Sequence, residues 1–230
     1  MNWPSVAICS IFRDHAGKLP RYIQQIEMLD YPRDSVQIVA VEGDSEDETL
    51  AMLRGWTDTR LHLLKRDTKT PRFPSIESPE RFKALSVVGN TALDFVAENL
   101  QVDYVLWLES DLIWEPDLLK RLVRHNADAV APMIWVEIQA HKPVFYDIWG
   151  FRNLNGTRFR QIERNAYLNT YRFLFEVSSA GSCLLVKADY IYNFARFDYR
   201  AIVGLCQAIR EREGRIVVDP LTEVYHPWPL

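Results

Sequence analysis

Glu109 and Asp111 stand one residue apart at the end of an apolar run, in the stretch VLWLESDLIW that covers residues 105–114. In an extended chain, residues two apart project to one side of the backbone. Two carboxylates held that close repel, and one pKa rises unless a cation lies between them. A divalent ion is the simplest answer, and oxygen ligands suit Mg2+ or Mn2+. Such an ion can also hold phosphate groups and stabilise the charge on one that departs. Helix capping is the competing account: Ser110 or Asp111 would open a helix over LIWEPDLL, where acids favour the N-terminus. On these residues alone both accounts stay open.

Two further features bear on the choice. VEGDSEDET, residues 41–49, is an acidic turn after an apolar run, a place where a nucleotide's base and ribose could be hydrogen-bonded. A solvated helix N-terminus would explain the same residues. His226, in VYHPW, could complete a mixed oxygen and nitrogen metal site as a neutral imidazole. A lone packed or surface histidine is the alternative. Residues 146–175 gather eight aromatics (Tyr146, Trp149, Phe151, Phe159, Tyr167, Tyr171, Phe173, Phe175) and five arginines against Asp147 and Glu163. Aromatic faces stack on sugars or bases, and arginines meet phosphates; the apolar spacing of YRFLFEV also suits a core.

The elements that must position these residues alternate. Ser5–Phe12 is a run of strand formers. Leu19, Tyr22, Ile23, Ile26 and Leu29 recur at helical spacing. Val36–Thr49 is a strand ending in the acidic turn, with Asp44 or Ser45 capping a helix that carries Leu50 and Leu53. RLHLLKR is a third strand. Such alternation predicts a mainly parallel sheet flanked by helices. Residues 65–83 break the pattern with three prolines and six Lys/Arg against three Asp/Glu, either a basic loop that closes over a ligand as a lid or a solvated basic loop. A helix over 84–100 precedes a strand at Asp103–Leu108, a helix over EPDLLKRLVRH with proline near its start, and a strand over ADAVAPMIW. Two short strands around an Asn-Gly turn are expected in 146–162, then a strand and helix in AGSCLLVKADYI. A helix closed by Gly214 follows, with RIVVDP as the last strand.

The chain has 230 residues, 48% apolar and 25% charged, with a formal net charge of −4. It is long enough for one domain with a full core, and its mild acidity gives no general attraction to nucleic acid. Cys9, Cys183 and Cys206 lack metal-site or paired spacing and read as reduced, packed thiols. No basic leader precedes the first apolar run and no stretch approaches ~18 apolar residues. A cytoplasmic protein with no membrane span is expected. Asn155-Gly156-Thr157 fits a glycan acceptor sequon, but a tight turn is the simpler expectation in such a chain.

Taken in order, these features resemble a GT-A glycosyltransferase, and within that fold the fungal Golgi mannosyltransferases of the mannan polymerase type. The stretches that carry it are ICSIFRDHAGKLPRYIQQIEMLDYP, VEGDSEDETLAML, DYVLWLESDLIWEPDLLKRLVRHNADAVAPMIW, AGSCLLVKADYI and VYHPW. The resemblance implies a Rossmann-like α/β GT-A fold in a single catalytic domain. Residues 1–115 would be the nucleotide-sugar-binding half and 116–230 the acceptor-binding half. It implies a Mn2+ (or Mg2+) ion and transfer of a hexose from a GDP- or UDP-hexose. Asp111 and His226 would be metal ligands, and Glu109 would lie near the ribose or the metal's waters. Glu42 and Asp44 would line the nucleotide pocket, with Ser10 and Arg13 at the end of the first strand and Arg81 or Lys83 on the diphosphate. The acceptor would be a glycan, a lipid carrier or modified DNA.

Three departures stand out. The motif is Glu-Ser-Asp rather than two aspartates, and no membrane anchor is visible. FDYRAIV offers only Asp198 where many inverting relatives place a carboxylate base. The resemblance suggests retaining transfer, with the leaving phosphate acting as base, while Asp198 or Glu176 could still serve. A nucleotidyltransferase acting on a sugar phosphate would need a glycine-rich phosphate cradle, and CSIFRDHAGK has one glycine. A noncatalytic nucleotide-sugar or nucleic-acid binding module is the third possibility.

Overall fold

The apolar runs become one mixed sheet with helices packed against it. The structure is a computed structural model and describes residues 3–73, 77–139 and 142–227. Along the first half run β1 (Val6–Phe12), α1 (Leu19–Glu27), β2 (Val36–Glu42), α2 (Thr49–Gly55), β3 (Leu61–Lys65), α3 (Pro79–Asn99), β4 (Tyr104–Leu108) and the two-residue β5 (Ile113–Trp114). The second half contains α4 (Leu118–Val123), β6 (Ala129–Gln139), β7 (Lys142–Phe145), α5 (Arg164–Thr170), β8 (Phe175–Val177), β9 (Cys183–Lys187), α6 (Ala188–Tyr192), α7 (Ile202–Arg210) and β10 (Ile216–His226). The strand order is β3-β2-β1-β4-β9-β6-β10-β5, with β7 on β6 and β8 on β10.

β3, β2, β1 and β4 are mutually parallel. β9 is antiparallel to both β4 and β6, and β10 is parallel to β6. Two reversals cancel, so β1, β2, β4, β6 and β10 all end at one edge of the sheet, the edge where open α/β sheets bind ligands. The central strands are buried on both faces: Val6, Ala7, Ile8 and Cys9 are wholly inaccessible, as are Ile38 to Val41. That is why their sequence runs apolar without alternation. Burying each Ile or Leu contributes roughly 2 kcal/mol, so these strands form a rigid base for whatever follows them. α3 packs across β1 and β2.

Several elements differ from the sequence expectation. Neither Asp44 nor Ser45 caps α2. Asp44 adopts a left-handed conformation with φ 59°, and the Ser45 hydroxyl accepts instead from the Asp14 N–H at 3.0 Å. α3 begins at Pro79 rather than near residue 84, because Ser78 accepts the Arg81 N–H and proline occupies the first turn, where its missing N–H costs nothing. The predicted hairpin in 146–162 is reduced to an Asn153–Thr157 turn with Gly156 at φ 82° and an isolated bridge from Arg152 to Arg158. Gly214 does not take the left-handed position after α7; Glu213 does, at φ 63°. A Cβ on Gly214 would instead lie 2.6 Å from Ile209 and 2.7 Å from Tyr190, so packing requires the glycine.

The last strand runs well past Pro220. Its pairing with β6 shifts between Asp219 and Glu223, which lets the ladder skip a proline that cannot donate. Asp219 satisfies the bulge by accepting from Leu221 N, Thr222 Oγ1 and His125 Nε2. Part of the aromatic group in 146–175 is core: Phe151, Phe159 and Tyr167 are buried around Phe145, with Tyr171 and Phe175 packed against them. Tyr146 and Trp149 remain half-buried, and Phe173 is exposed. The three cysteines are buried and unpaired. Among the described residues no helix is long and apolar enough to cross a membrane. Residues 74–76 of the basic loop lie outside the described residues.

Candidate functional site

β5 brings the site together. It begins two residues after Asp111 and pairs antiparallel with the end of β10, Ile113 opposite Tyr225 and Trp114 opposite Val224. Extending that register puts Leu112 opposite His226 with Asp111 one position further on, and Asp111 Oδ2 lies 3.2 Å from His226 Nε2. The capping account of Ser110 and Asp111 therefore does not hold. No helix starts until Leu118, and the Ser110 hydroxyl donates to Ile11 O at 2.8 Å and pairs with His15 Nδ1 at 2.7 Å. The Glu109 N–H donates to Ser182 O at 2.8 Å, tying the Glu-Ser-Asp turn to the start of β9.

His226 is held on two further sides. Tyr146 stacks on its ring with centroids 4.1 Å apart. Nδ1 lies 3.0 Å from the Pro227 carbonyl, an acceptor, so Nδ1 carries the hydrogen and Nε2 faces Asp111. Burial pulls the imidazole pKa down, but the hydrogen bond and charge of Asp111 outweigh it and the net shift is upward. The imidazole thus spans the Asp111 carboxylate and the Pro227 carbonyl. For Asp111 burial raises the pKa, yet His226 and Lys18 together hold it far below the usual carboxylate range.

Sequence reading misses Lys18, whose Nζ lies 2.9 Å from the same Asp111 Oδ2. It also misses Arg21, which donates to the Asp111 carbonyl at 3.0 Å, and the buried Asp147. A Cβ on Gly150 or Gly181 would lie 2.8 or 2.7 Å from Asp147 Oδ2, so both glycines make room for this carboxylate. Asp147 accepts from Gly150 N at 2.7 Å and Ser182 Oγ at 3.1 Å, and burial still raises its pKa. Glu109 is raised most by burial, then by Asp111 and Asp147, against the opposing charges of His226 and Arg81. Glu109, Asp111 and Asp147 thus form one acidic cluster. A polar residue following β1, such as Lys18 in RDHAGK, is the available signal, since every residue there emerges at the ligand edge.

The other expected site residues divide. Arg81, in the first turn of α3, is close enough to lower the pKa of Glu109. Lys83 is exposed and lies on the opposite side of α3, because residues two apart on a helix face away from each other. Ser10 is wholly buried, donating to Leu108 O at 2.6 Å and accepting from Tyr22 at 2.8 Å; it braces β1 against β4 and cannot meet a ligand. Glu42 is buried at the end of β2 with one oxygen on Ser45 N at 3.1 Å and the other without a partner among the described residues. Asp44 accepts from Thr68 N and Lys69 N at 2.9 and 3.0 Å, and Arg13 donates to Thr70 O at 2.8 Å. These three residues therefore shape a wall from the ends of β1 and β2 and the start of the basic loop. Two of the loop's cations are already paired, Lys65 with Asp67 and Arg72 with Asp14.

Asp198 and Glu176 do not join the cluster. Asp198 pairs with Arg200 just before α7. Glu176 pairs with Arg215 and sits opposite Val217 at the start of β10, whereas His226 ends that strand. Both carboxylates are thus already engaged by arginines away from the Asp111–His226 pair.

The donor set suits a divalent cation in part. An imidazole nitrogen and a carboxylate oxygen converge, with buried negative charge from Glu109 and Asp147 beside them. Among the described residues no group of three His, Cys, Asp or Glu could hold an ion alone. An ion bound here would take its remaining ligands from substrate oxygens or water.

Comparison with known proteins agrees with this frame. Two relatives align over 142 residues, 57% of this chain: the "probable inactive glycosyltransferase 25 family member 3" of Bos taurus, 30% identical, and "procollagen galactosyltransferase 1-A" of Xenopus laevis, 28% identical. The chain spans about a quarter of their length, 24% and 23%. Among solved structures, the mannosyltransferase PcManGT of Pyrobaculum calidifontis in complex with GDP-Man and Mn2+ superimposes with a TM-score of 0.62 at 16% identity, over 97% of this chain and 57% of that one. TarS 1–349 of S. aureus in complex with UDP-GlcNAc gives 0.63 at 13% identity, over 98% and 59%. At such identities the likeness establishes the fold, which is the expected GT-A arrangement. The family model for "Glycosyltransferase family 25, N-terminal domain" matches residues 3–149, which include Glu109, Asp111 and Asp147, and the chain belongs to that family.

Proposed function

We propose that this chain is a metal-assisted glycosyltransferase that moves a hexose from a GDP- or UDP-hexose to an acceptor hydroxyl. The observation that carries the proposal is the meeting of Asp111 and His226 at 3.2 Å on the ligand edge. The names of the frog relative and of the archaeal structure, a galactosyltransferase and a mannosyltransferase bound to GDP-Man and Mn2+, support a hexose and a divalent ion. The finer likeness to fungal mannosyltransferases, and retention of configuration with it, rest on the sequence stretches that carry the resemblance. Residues 1–115 supply the donor wall and 116–230 the acceptor side, with a glycan, lipid carrier or modified DNA as acceptor. Three buried thiols support a reducing, cytoplasmic setting.

Each residue has a defined task. Asp111 and His226 would hold the cation, and Tyr146 and Pro227 O fix the imidazole so that Nε2 would be the ligating nitrogen. When bound, Mn2+ or Mg2+ would neutralise charge on the departing diphosphate. Arg81 adds positive charge at the same edge. With Asp198 and Glu176 tied to arginines, Glu109 and Asp147 are the carboxylates left to meet the reacting hydroxyl. Glu42, Asp44 and Arg13 line the nucleotide side.

One observation favours a second reading, a noncatalytic nucleotide-sugar binding module. The Lys18 ammonium neutralises Asp111 without any metal, and relatives such as that of Bos taurus carry "inactive" in their names. One experiment separates the two: incubate the chain with a panel of nucleotide sugars and Mn2+, and follow donor hydrolysis. Turnover by the wild type that disappears in Asp111→Asn, with the melting temperature held, is the expected result. Donor binding without hydrolysis, unchanged by Mn2+, would establish the binding module instead.

A further inference from the structure

Beyond the acidic cluster, Ser178, Ser179, the Trp149–Gly156 loop and α7 border an open concavity of about 670 Å3 whose lining includes Arg152, Arg200, Arg210 and Glu211. Two of its lining residues carry buried N–H groups with no partner among the described residues: Trp149 Nε1 and Arg152 Nε. A buried, unsatisfied donor costs about 1–3 kcal/mol, so two beside one cavity call for a ligand. Both groups only donate. The ligand must therefore bring acceptor oxygens.

The surrounding charge selects an anion. Arg158 is matched by Glu77 at 3.0 Å and Arg200 by Asp198, and among the lining residues Arg210 stands beside Glu211. Arg152 has no ion pair among the described residues; its guanidinium donates to the Gly156 carbonyl at 3.5 Å and lies 5.2 Å from the centre of the Trp149 ring. Burial, then the nearby Arg158 and Arg200 charges, lower its pKa against the opposing charges of Glu77 and Asp147. Both faces of Trp149 are occupied, by Phe82 stacked at 4.6 Å and by the Arg158 guanidinium at 4.1 Å. The indole is therefore not a platform for a sugar ring; what it offers is the N–H on its edge.

The cavity adjoins the acidic cluster. Ser179 donates to Gly150 O at 2.6 Å, and Asp147 lies between Gly150 and Gly181. We propose that this cavity is an anion subsite that takes the phosphoryl group of the acceptor, held by Arg152 and the Trp149 N–H with Arg210 at the rim. The volume suits a phosphorylated mono- or disaccharide unit, soluble or carried on a lipid. The word acceptor rests on the transferase reading; the anion site stands on its own geometry.

Isothermal titration of the full chain with inorganic phosphate tests it. The expected result is saturable binding that weakens about tenfold or more in Arg152→Gln, weakens in Arg210→Gln, a variant on an exposed helix position, and is unchanged in Asp111→Asn. No binding by the wild type, equal binding by both arginine variants, or loss in Asp111→Asn would overturn the proposal. In a second arm, a hexose 6-phosphate and a polyprenyl phosphate in phosphatidylcholine vesicles are compared with the unphosphorylated hexose. Tighter binding of either phosphate supports the site and identifies the source, while no preference over the plain hexose overturns it. Arginine-dependent phosphate binding by a chain that never consumes a donor would keep the site and remove the transferase reading.

Discussion

Replacing Lys18 by methionine should tighten divalent-cation binding at Asp111. Lys18 Nζ and His226 Nε2 both rest on Asp111 Oδ2, at 2.9 and 3.2 Å. A cation can use that oxygen only by displacing the ammonium. At 2.9 Å two unit charges attract by about 6 kcal/mol for an effective dielectric of 20. The Lys18 side chain is 38% exposed and the Asp111 side chain 15%, so water and the entropy of ordering the lysine reduce the net term to roughly 1–2 kcal/mol. Methionine keeps most of the apolar stem and removes the charge. The gain in Mn2+ affinity without nucleotide should thus be about tenfold, with a loss of metal-free fold stability of the same roughly 1–2 kcal/mol. The assay is titration followed by electron paramagnetic resonance of free Mn2+. Adding nucleoside diphosphate should reverse the ranking, because the displaced ammonium of the wild type is then free to meet a phosphate. Equal or weaker Mn2+ binding by Lys18→Met without nucleotide would refute the competition and remove Oδ2 as a metal ligand.

Two predictions concern the scaffold. Gly43→Ala should lower the melting temperature by several degrees, because the new Cβ would lie 2.1 Å from the Arg66 carbonyl oxygen, backbone that cannot move aside; the cost is about 1–3 kcal/mol. The same change should weaken nucleotide binding, since Asp44 is tied to Thr68 and Lys69 across that contact, and an unchanged melt would contradict it. Asp58→Asn tests an ion cluster under β3. The Asp58 carboxyl is drawn down to about 2, chiefly by its hydrogen bond from Arg60, with Arg33 also bound at 2.8 Å. A depressed carboxylate stabilises the fold above its unfolded pKa of about 3.9 and loses that contribution as pH falls toward 2. Urea unfolding near neutral pH should show a loss of about 1 kcal/mol after solvent screening, a gap that closes in acid; a gap that widens in acid would reverse the reasoning.

Much of the fold is legible in the sequence because burial on both faces leaves long apolar runs. β1, β2, β4 and β9 can be placed that way, and the acids after β2 and β4 can be assigned to strand ends. β5 and β7 are too short to show a period, and Pro220 hides the continuation of β10, where a bulge carries the ladder past it. Ser10 is misleading for a related reason: a serine at a strand end looks like a ligand contact until Tyr22 and Leu108 are seen to use its hydroxyl. Asp198 and Glu176 look like bases until their arginines appear, because an ion pair across a turn or between two strands has no local signature.

The sequence by itself determined that strands end in carboxylates and that a histidine follows the last one. Residue types and spacing report what is buried and where a strand stops. Only the tertiary structure decided which of those ends meet. Asp111 and His226 come together because β5 pairs with the end of β10, and Lys18 joins them because β1 and β4 are adjacent and parallel. Pairing register is a property of two distant segments at once, set by which apolar faces can be covered together, and no pattern within either segment contains it.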